Sequence, residues 1–193
     1  ARMDGFYADA ASIPEAGMDA LIFAGVAQHA DRFSDEPYWR ALTRLMDWAA
    51  ASTVTTLFSG QAAHAAVQHF DDIRRRPLPK KLSGVFASLR AADDSLLTGV
   101  PARATTPHSR KHGVLENDLA SRGYRVLARL LDGSVDLFAR EGRSRLIFLQ
   151  GQFVIRGSQL LYFQDPVFRE RAAMKPPVRR YTIEGQELVP QRE

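Results

Sequence analysis

Short unbroken apolar runs alternate along this chain with segments whose apolar residues recur every three or four positions. Ala20-Leu21-Ile22-Phe23-Ala24 is such a run, and its end at Gly25 predicts a buried parallel strand. The segment from Val26 to Asp35 is polar and aperiodic, which predicts a loop. Pro37 suits a first helical position, and Trp39, Leu42, Leu45, Met46 and Ala49 predict an amphipathic helix from Tyr38 onward. Thr53 to Phe58, rich in β-branched residues, predicts a second buried strand. A turn at Ser59-Gly60 then leads into a helix over Gln61 to Phe70.

Pro77 and Pro79 are expected to break the chain before a strand at Leu82 to Phe86, and Ala91 to Gly113 is expected to be mostly loop. Leu115 to Arg122 predicts a short helix closed by Gly123. Alternation over Tyr124–Leu130 and Val135–Phe138, with Asp132-Gly133 between them, predicts a hairpin. Arg145 to Leu149 reads as another buried strand, and Ser158 to Ala173 as a terminal helix interrupted near Pro166. The order of elements predicts an α/β fold, a mostly parallel sheet flanked by helices with an antiparallel hairpin. It places one domain over residues 1–174 and a Pro-rich charged tail over 175–193.

Composition narrows the chemistry. With 193 residues, 45% apolar and 25% charged, the chain suits one globular domain. No apolar run approaches the ~18 residues of a membrane span, and no basic-then-apolar leader is present, so a cytoplasmic location is expected. The absence of cysteine excludes disulfides, thiolate zinc sites and a cysteine nucleophile in this chain. Its histidines have no carboxylates at ligand spacing, so no metal site is expected. The net charge of +4 is clustered at Arg74-Arg75-Arg76, Lys80-Lys81, Arg110-Lys111 and Arg179-Arg180. Without exposed aromatics or a nucleic-acid module, these suit a solvated surface or a small anionic ligand, such as a phosphate-bearing acyl carrier.

The stretch Thr55-Thr56-Leu57-Phe58-Ser59-Gly60-Gln61 has the form of a strand-to-helix elbow, which in α/β enzymes often carries a nucleophile. Its tip holds glycine. Around it, Asp19 to Gly25, Glu36-Pro37-Tyr38-Trp39, Ala62 to Ala66, Lys80-Lys81-Leu82-Ser83-Gly84-Val85-Phe86 and Thr106-Pro107-His108-Ser109-Arg110 follow one another in an order that resembles the homoserine O-acyltransferases. The similarity runs from about Tyr7 to Leu149. It implies a class I glutamine amidotransferase-like fold. It also implies transfer of a succinyl or acetyl group from coenzyme A to homoserine, in methionine biosynthesis, through a cysteine acyl-enzyme with a histidine base and an orienting glutamate.

Carried over by position, the resemblance gives a divided result. The elbow cysteine falls on Gly60, and the His-Pro-Glu motif after Gly151 falls on Gln152-Phe153-Val154. Nucleophile, base and orienter are all replaced. On the substrate side, Lys81, Ser109 and Arg110 match family positions, Gly25-Val26 match the loop bordering the oxyanion site, and His29 aligns with a position tied to donor choice. A family arginine of the last helix has no match in register; Arg169 lies nearby. Family members carry a further N-terminal βα region ahead of the matched part, which leads to the expectation that this chain lacks it.

Other residues offer weak substitutes. Ser59 precedes the elbow, so its side chain is expected on the opposite face from position 60. His64 lies one turn into the helix and could face the same cleft, although a structural histidine is the simpler reading. His69 has less to recommend it. His108 and His112 flank Ser109-Arg110, but neighbours such as His108 and Ser109 rarely orient as a dyad. Lys81, His64 and Ser59 therefore stand as the candidates for any catalytic role. Three functions remain open: a divergent acyltransferase working by direct transfer, a non-catalytic binding or regulatory protein, and a part of a larger polypeptide or complex. No bound cofactor is expected, with a coenzyme A thioester as co-substrate. Expected partners are a small-molecule substrate and either a second copy of the chain or another chain completing the sheet, with neither nucleic acid nor membrane.

Overall fold

The computed structural model describes residues 9–25, 30 and 32–152, together with the backbone of 181–184 and 187–190. The chain forms two compact units, Ala1–Val154 and Ile155–Glu193. In the first, seven strands form one sheet: β1 (Ala20–Ala24), β2 (Thr55–Ser59), β3 (Arg76–Arg90), β4 (Arg103–Gly113), β5 (Arg125–Leu130), β6 (Val135–Arg140) and β7 (Arg145–Leu149). Their spatial order is β1-β2-β7-β6-β5-β3-β4. Among the described residues three α-helices accompany them: α1 (Trp39–Ser52), α2 (Gln61–Asp71) and α3 (Glu116–Ala120). In the second unit, β8 (Tyr181–Glu184) pairs antiparallel with β9 (Glu187–Pro190). The helix expected over Ser158–Ala173 lies outside the described residues.

The α/β class stands, but the expectation of a mostly parallel sheet needs correction. β2 runs parallel to β1 and β7, whereas every pairing from β7 through β6, β5 and β3 to β4 is antiparallel. Two segments account for the difference. Pro77 and Pro79 do not end a segment; they lie inside β3, whose register shifts between Pro77 and Leu82. Among the described residues that strand pairs from Arg76 to Ala87 with β4 alone, so missing N–H groups are tolerated on its other side and at the bulge. The expected loop over Ala91–Gly113 holds a strand from Arg103 onward. Its inward positions carry Thr106, His108, Arg110 and His112 rather than apolar residues, so no hydrophobic alternation marks it.

A row of aromatic rings holds the sheet together. Phe23 pairs in register with Phe58, Phe58 with Phe148, and Phe148 with Phe138. The rings stack along that row at centroid separations of 4.9, 5.1 and 4.9 Å. Tyr124 caps it edge-on against Phe138 and Phe148. Burying each Phe contributes roughly 1.5–3 kcal/mol. The row also aligns the ends of three parallel strands, so Gly25, Gly60 and Gly151 emerge at one edge of the sheet. That edge is where α/β folds place ligands.

Both main helices pack on this frame. α1 buries Met46 and Ala49, as its spacing predicts, and starts two residues beyond Pro37. The Thr53 hydroxyl donates to the Ala49 carbonyl at 2.8 Å, closing α1 just before β2. α2 is sunk more deeply: Ala62 through Val67 are all buried. Four of those six are alanines, whose small side chains let the helix lie close to the sheet. No helix among the described residues is long and apolar enough to cross a membrane.

Candidate functional site

The elbow has the backbone its sequence suggests. Gly60 adopts φ 61° and ψ −124°, a conformation that costs an L side chain strain of order 1–3 kcal/mol. Its N–H donates to the carbonyls of Leu149 at 2.8 Å and Gly151 at 3.1 Å, tying the elbow to the end of β7. A Cβ at this position would meet nothing nearer than the Gly151 carbonyl oxygen at 3.9 Å. The geometry of a nucleophile elbow is thus retained, with room for a side chain and none present. Immediately after it α2 begins, its Ala63 amide donating to the Gly60 carbonyl at 3.2 Å, and the positive end of the helix dipole lies here.

Above the elbow lies a cavity of about 870 Å3. It gathers most of the positions singled out from sequence: Gly25, Ser59, Gly60, His64, Lys81, Ser109, Arg110 and Gln152 all line it. Val26, His29, Phe153, Val154 and Arg169 lie outside the described residues. Ser59 donates its hydroxyl to the Gly151 carbonyl at 3.3 Å. On β4, His108 is buried while Ser109 is exposed, so strand alternation directs the two apart and the dyad drawn from sequence is not assembled. His69 is outside the cavity, paired with Asp47 at 2.7 Å.

The walls add residues beyond those carried over by resemblance. Arg75 and Lys111 join Lys81 and Arg110, so among the described residues four cations line the cavity and no carboxylate does. Arg75 is fixed by stacking over the buried Phe33 ring, 4.5 Å from its centroid. Basic clustering signals both residues, with a solvated surface and a small anionic ligand as its two readings. Gln150 carried no signal. Its Oε1 accepts from Arg110 Nη1 at 2.9 Å and from the Val114 amide at 3.2 Å, while its Nε2 donates to the Val135 carbonyl at 2.6 Å.

Arg110 is the most fully held of the four cations. Beyond Gln150, its Nη1 donates to the His112 carbonyl at 3.0 Å and its Nε to His108 Nδ1 at 3.2 Å. Burial lowers its pKa from the ordinary value, with Asp136 and Asp132 acting the other way. His64 is pushed down to about 3 by burial first and by Arg110, Arg75 and His112 after it, against a hydrogen bond to Gln150. It is therefore neutral at physiological pH and a weak base. His112 is lowered too, by burial and then by Arg75 and Lys111. Gln152 donates its backbone N–H to the Pro107 carbonyl at 2.8 Å, and its side-chain amide cannot take up a proton as an imidazole would.

Among the described residues no group of carboxylates and histidines is arranged to hold a metal ion. The arrangement favours negative charge over the α2 N-terminus, between Lys81 on β3 and Arg110 on β4.

Comparison with known proteins identifies this architecture. Structures sharing the fold include a glutamine amidotransferase from Thermotoga maritima, with TM-score 0.59 and 11% identity over 69% of this chain and 55% of that one. Another is a glutamine amidotransferase from Methylobacillus flagellatus, with TM-score 0.56 and 13% identity over 78% and 56%. In sequence, the homoserine O-succinyltransferase of Methylorubrum extorquens is 49% identical over 151 residues, 78% of this chain and 46% of that protein. That of Rhodopseudomonas palustris is 47% identical over 150 residues, 78% and 45% respectively. The chain thus spans under half the length of these relatives. The model of the homoserine O-succinyltransferase family matches residues 1–166, and by that match and these identities the chain belongs to this family.

Proposed function

We propose that the cavity binds an acyl thioester of coenzyme A, and a small hydroxyl-bearing amino acid beside it, without forming a covalent acyl-enzyme. The observation that carries this reading is the four-cation wall around an elbow whose tip is Gly60. Phosphates and carboxylates suit Arg75, Lys81, Arg110 and Lys111, and the amides at the start of α2 suit a polarised carbonyl oxygen. The chain has no cysteine to be acylated, the position of the family's base is Gln152, and His64 is too weakly basic to serve well. The primary role is accordingly that of an acyl-carrier-binding protein, regulatory or supportive to an active relative.

Direct transfer is the second reading, favoured by the retained elbow backbone. The acceptor hydroxyl would attack the thioester carbonyl, forming a C–O bond as the C–S bond breaks. Its proton would leave with the departing thiolate to give free coenzyme A. Orientation alone can supply ~7–11 kcal/mol toward such a step. Thiol release from succinyl- and acetyl-coenzyme A, with and without homoserine, separates the two readings, and a cysteine-free protein adds no background. Calorimetry on the same samples tests the shared premise: if neither thioester binds, both readings fail. Binding without release supports the binding role, and homoserine-dependent release supports transfer.

A further inference from the structure

The cavity-facing Arg110 is the visible end of a buried chain of groups. Its Nε donates to His108 Nδ1 at 3.2 Å, two residues back on the same face of β4. The far nitrogen of that ring, Nε2, lies 3.2 Å from Asp136 Oδ1 on β6, with both side chains inaccessible to solvent at 0% and 1%. The two atoms face each other at charge-pair distance and not as an aligned hydrogen bond, and neither has a hydrogen-bonding partner among the described residues. The other carboxylate oxygen, Asp136 Oδ2, accepts from Ser88 Oγ at 2.6 Å and Thr106 Oγ1 at 2.9 Å. Three strands therefore converge on one buried acid. A ring nitrogen that accepts from a guanidinium carries no proton, which leaves Nε2, the nitrogen nearer the acid, to carry it.

The ring is also clamped by shape. Phe86 meets it edge-on at 5.7 Å between centroids. On another side the chain passes as Gly151, where a Cβ would stand 3.1 Å from His108 Cε1. With Nε given to His108 and Nη1 to Gln150 and His112, the Nη2 of Arg110 is buried and has no hydrogen-bond partner among the described residues.

We infer that Asp136 and His108, neither of which lines the cavity, are positioning residues that fix the direction in which Arg110 presents its guanidinium to a carboxylate-bearing ligand at the cavity wall. A guanidinium held by three hydrogen bonds, one from Nε and two from Nη1, keeps its fork in one plane and loses little further freedom on binding. This inference rests on the anion-binding reading for its ligand, but the relay itself can be tested without one.

The experiment is nitrogen-15 NMR on the whole chain, first without ligand and then titrated with succinate. The relay requires His108 to be bare at Nδ1 and protonated at Nε2, with an Arg110 Nε–H that exchanges slowly with solvent. His108→Leu should speed that exchange about tenfold or more, whereas His108→Gln should keep it slow, since the amide can accept from Arg110 and donate to Asp136. Succinate affinity should fall about tenfold in His108→Leu and recover in His108→Gln. A proton on Nδ1 in the unaltered chain overturns the inference, as does equal Arg110 protection in a folded His108→Leu. A chain with the required tautomer and slow exchange that binds neither succinate nor succinyl-coenzyme A would sink the anion-binding reading and leave the relay standing.

Discussion

Gly60 donates its amide to the Gly151 carbonyl at 3.1 Å, and that same oxygen is the nearest atom, at 3.9 Å, to where a Cβ on Gly60 would stand. The elbow is thus locked in place by its backbone and open on its side-chain face. Gly60→Cys should fold, at a cost of roughly 1–3 kcal/mol for the positive φ. Its thiol would sit at the start of α2 among the cavity cations, so alkylation by iodoacetamide should titrate below the ~8.5 of a free cysteine. No steady turnover of succinyl-coenzyme A should accompany it, because Gln152 cannot act as base. An alkylation midpoint at or above that of free cysteine would mean that the electrostatic reading of the site is wrong.

Gly151 and Gly113 lack side chains for reasons of space. A Cβ on Gly151 would collide with Thr106 Cγ2 and lie 2.9 Å from the Pro107 carbonyl oxygen, a backbone atom that cannot swing away. Gly151→Ala should therefore cost about 1–3 kcal/mol of stability in denaturant unfolding. A Cβ on Gly113 would instead meet Arg110 Nη1 at 2.8 Å. Gly113→Ala should cost less stability and more ligand affinity, because what yields is the guanidinium. Equal effects of the two on both properties would contradict this division.

These positions mark what sequence could and could not reveal. β1, α1, β2, α2 and the β5–β6 hairpin announce themselves because each buries one apolar face or run against the core. β4 does not, since its inward residues are polar, and a polar strand written Thr106-Pro107-His108-Ser109-Arg110 looks like a loop. The elbow and the cations Lys81 and Arg110 were legible through resemblance to the homoserine O-acyltransferases. Gln150 and Asp136 were not. Asp136 stands as a lone acid inside Val135-Asp136-Leu137-Phe138, and only the fold brings it to His108, 28 residues away in sequence.

Lys81 and Arg110 should contribute to ligand binding in different ways. Each, changed to Ala, should weaken succinyl-coenzyme A by more than about tenfold, or ~1.4 kcal/mol, in calorimetry at low salt. Lys81 is exposed, so its contribution should shrink at ~0.5 M salt, where charges are screened within a few ångströms. Arg110 is half-buried and anchored by His108, Gln150 and the His112 carbonyl, so its contribution should persist. Unchanged affinity in both variants would remove the case for a retained site.

His64 makes the fold acid-sensitive. Unfolded, it takes up a proton near its ordinary 6.5; folded and buried, it does so only near about 3. Between those values the unfolded chain binds more protons, so stability falls as pH drops through that window. From pH 6.5 to pH 4 the loss should be on the order of 3 kcal/mol, at about 1.4 kcal/mol per unit below the unfolded pKa. Aspartates and glutamates titrate in the lower part of the same window, so the quantity to measure is the difference between the chain and His64→Gln. The variant should lose some stability at neutral pH, where neutral His64 is well packed, and should close that gap or overtake the parent as the solution becomes acid. Parallel unfolding free energies between pH 6.5 and pH 4 would show that His64 ionises as readily folded as unfolded. It would then be a protonated member of the cavity wall, and able to accept a proton there near neutrality.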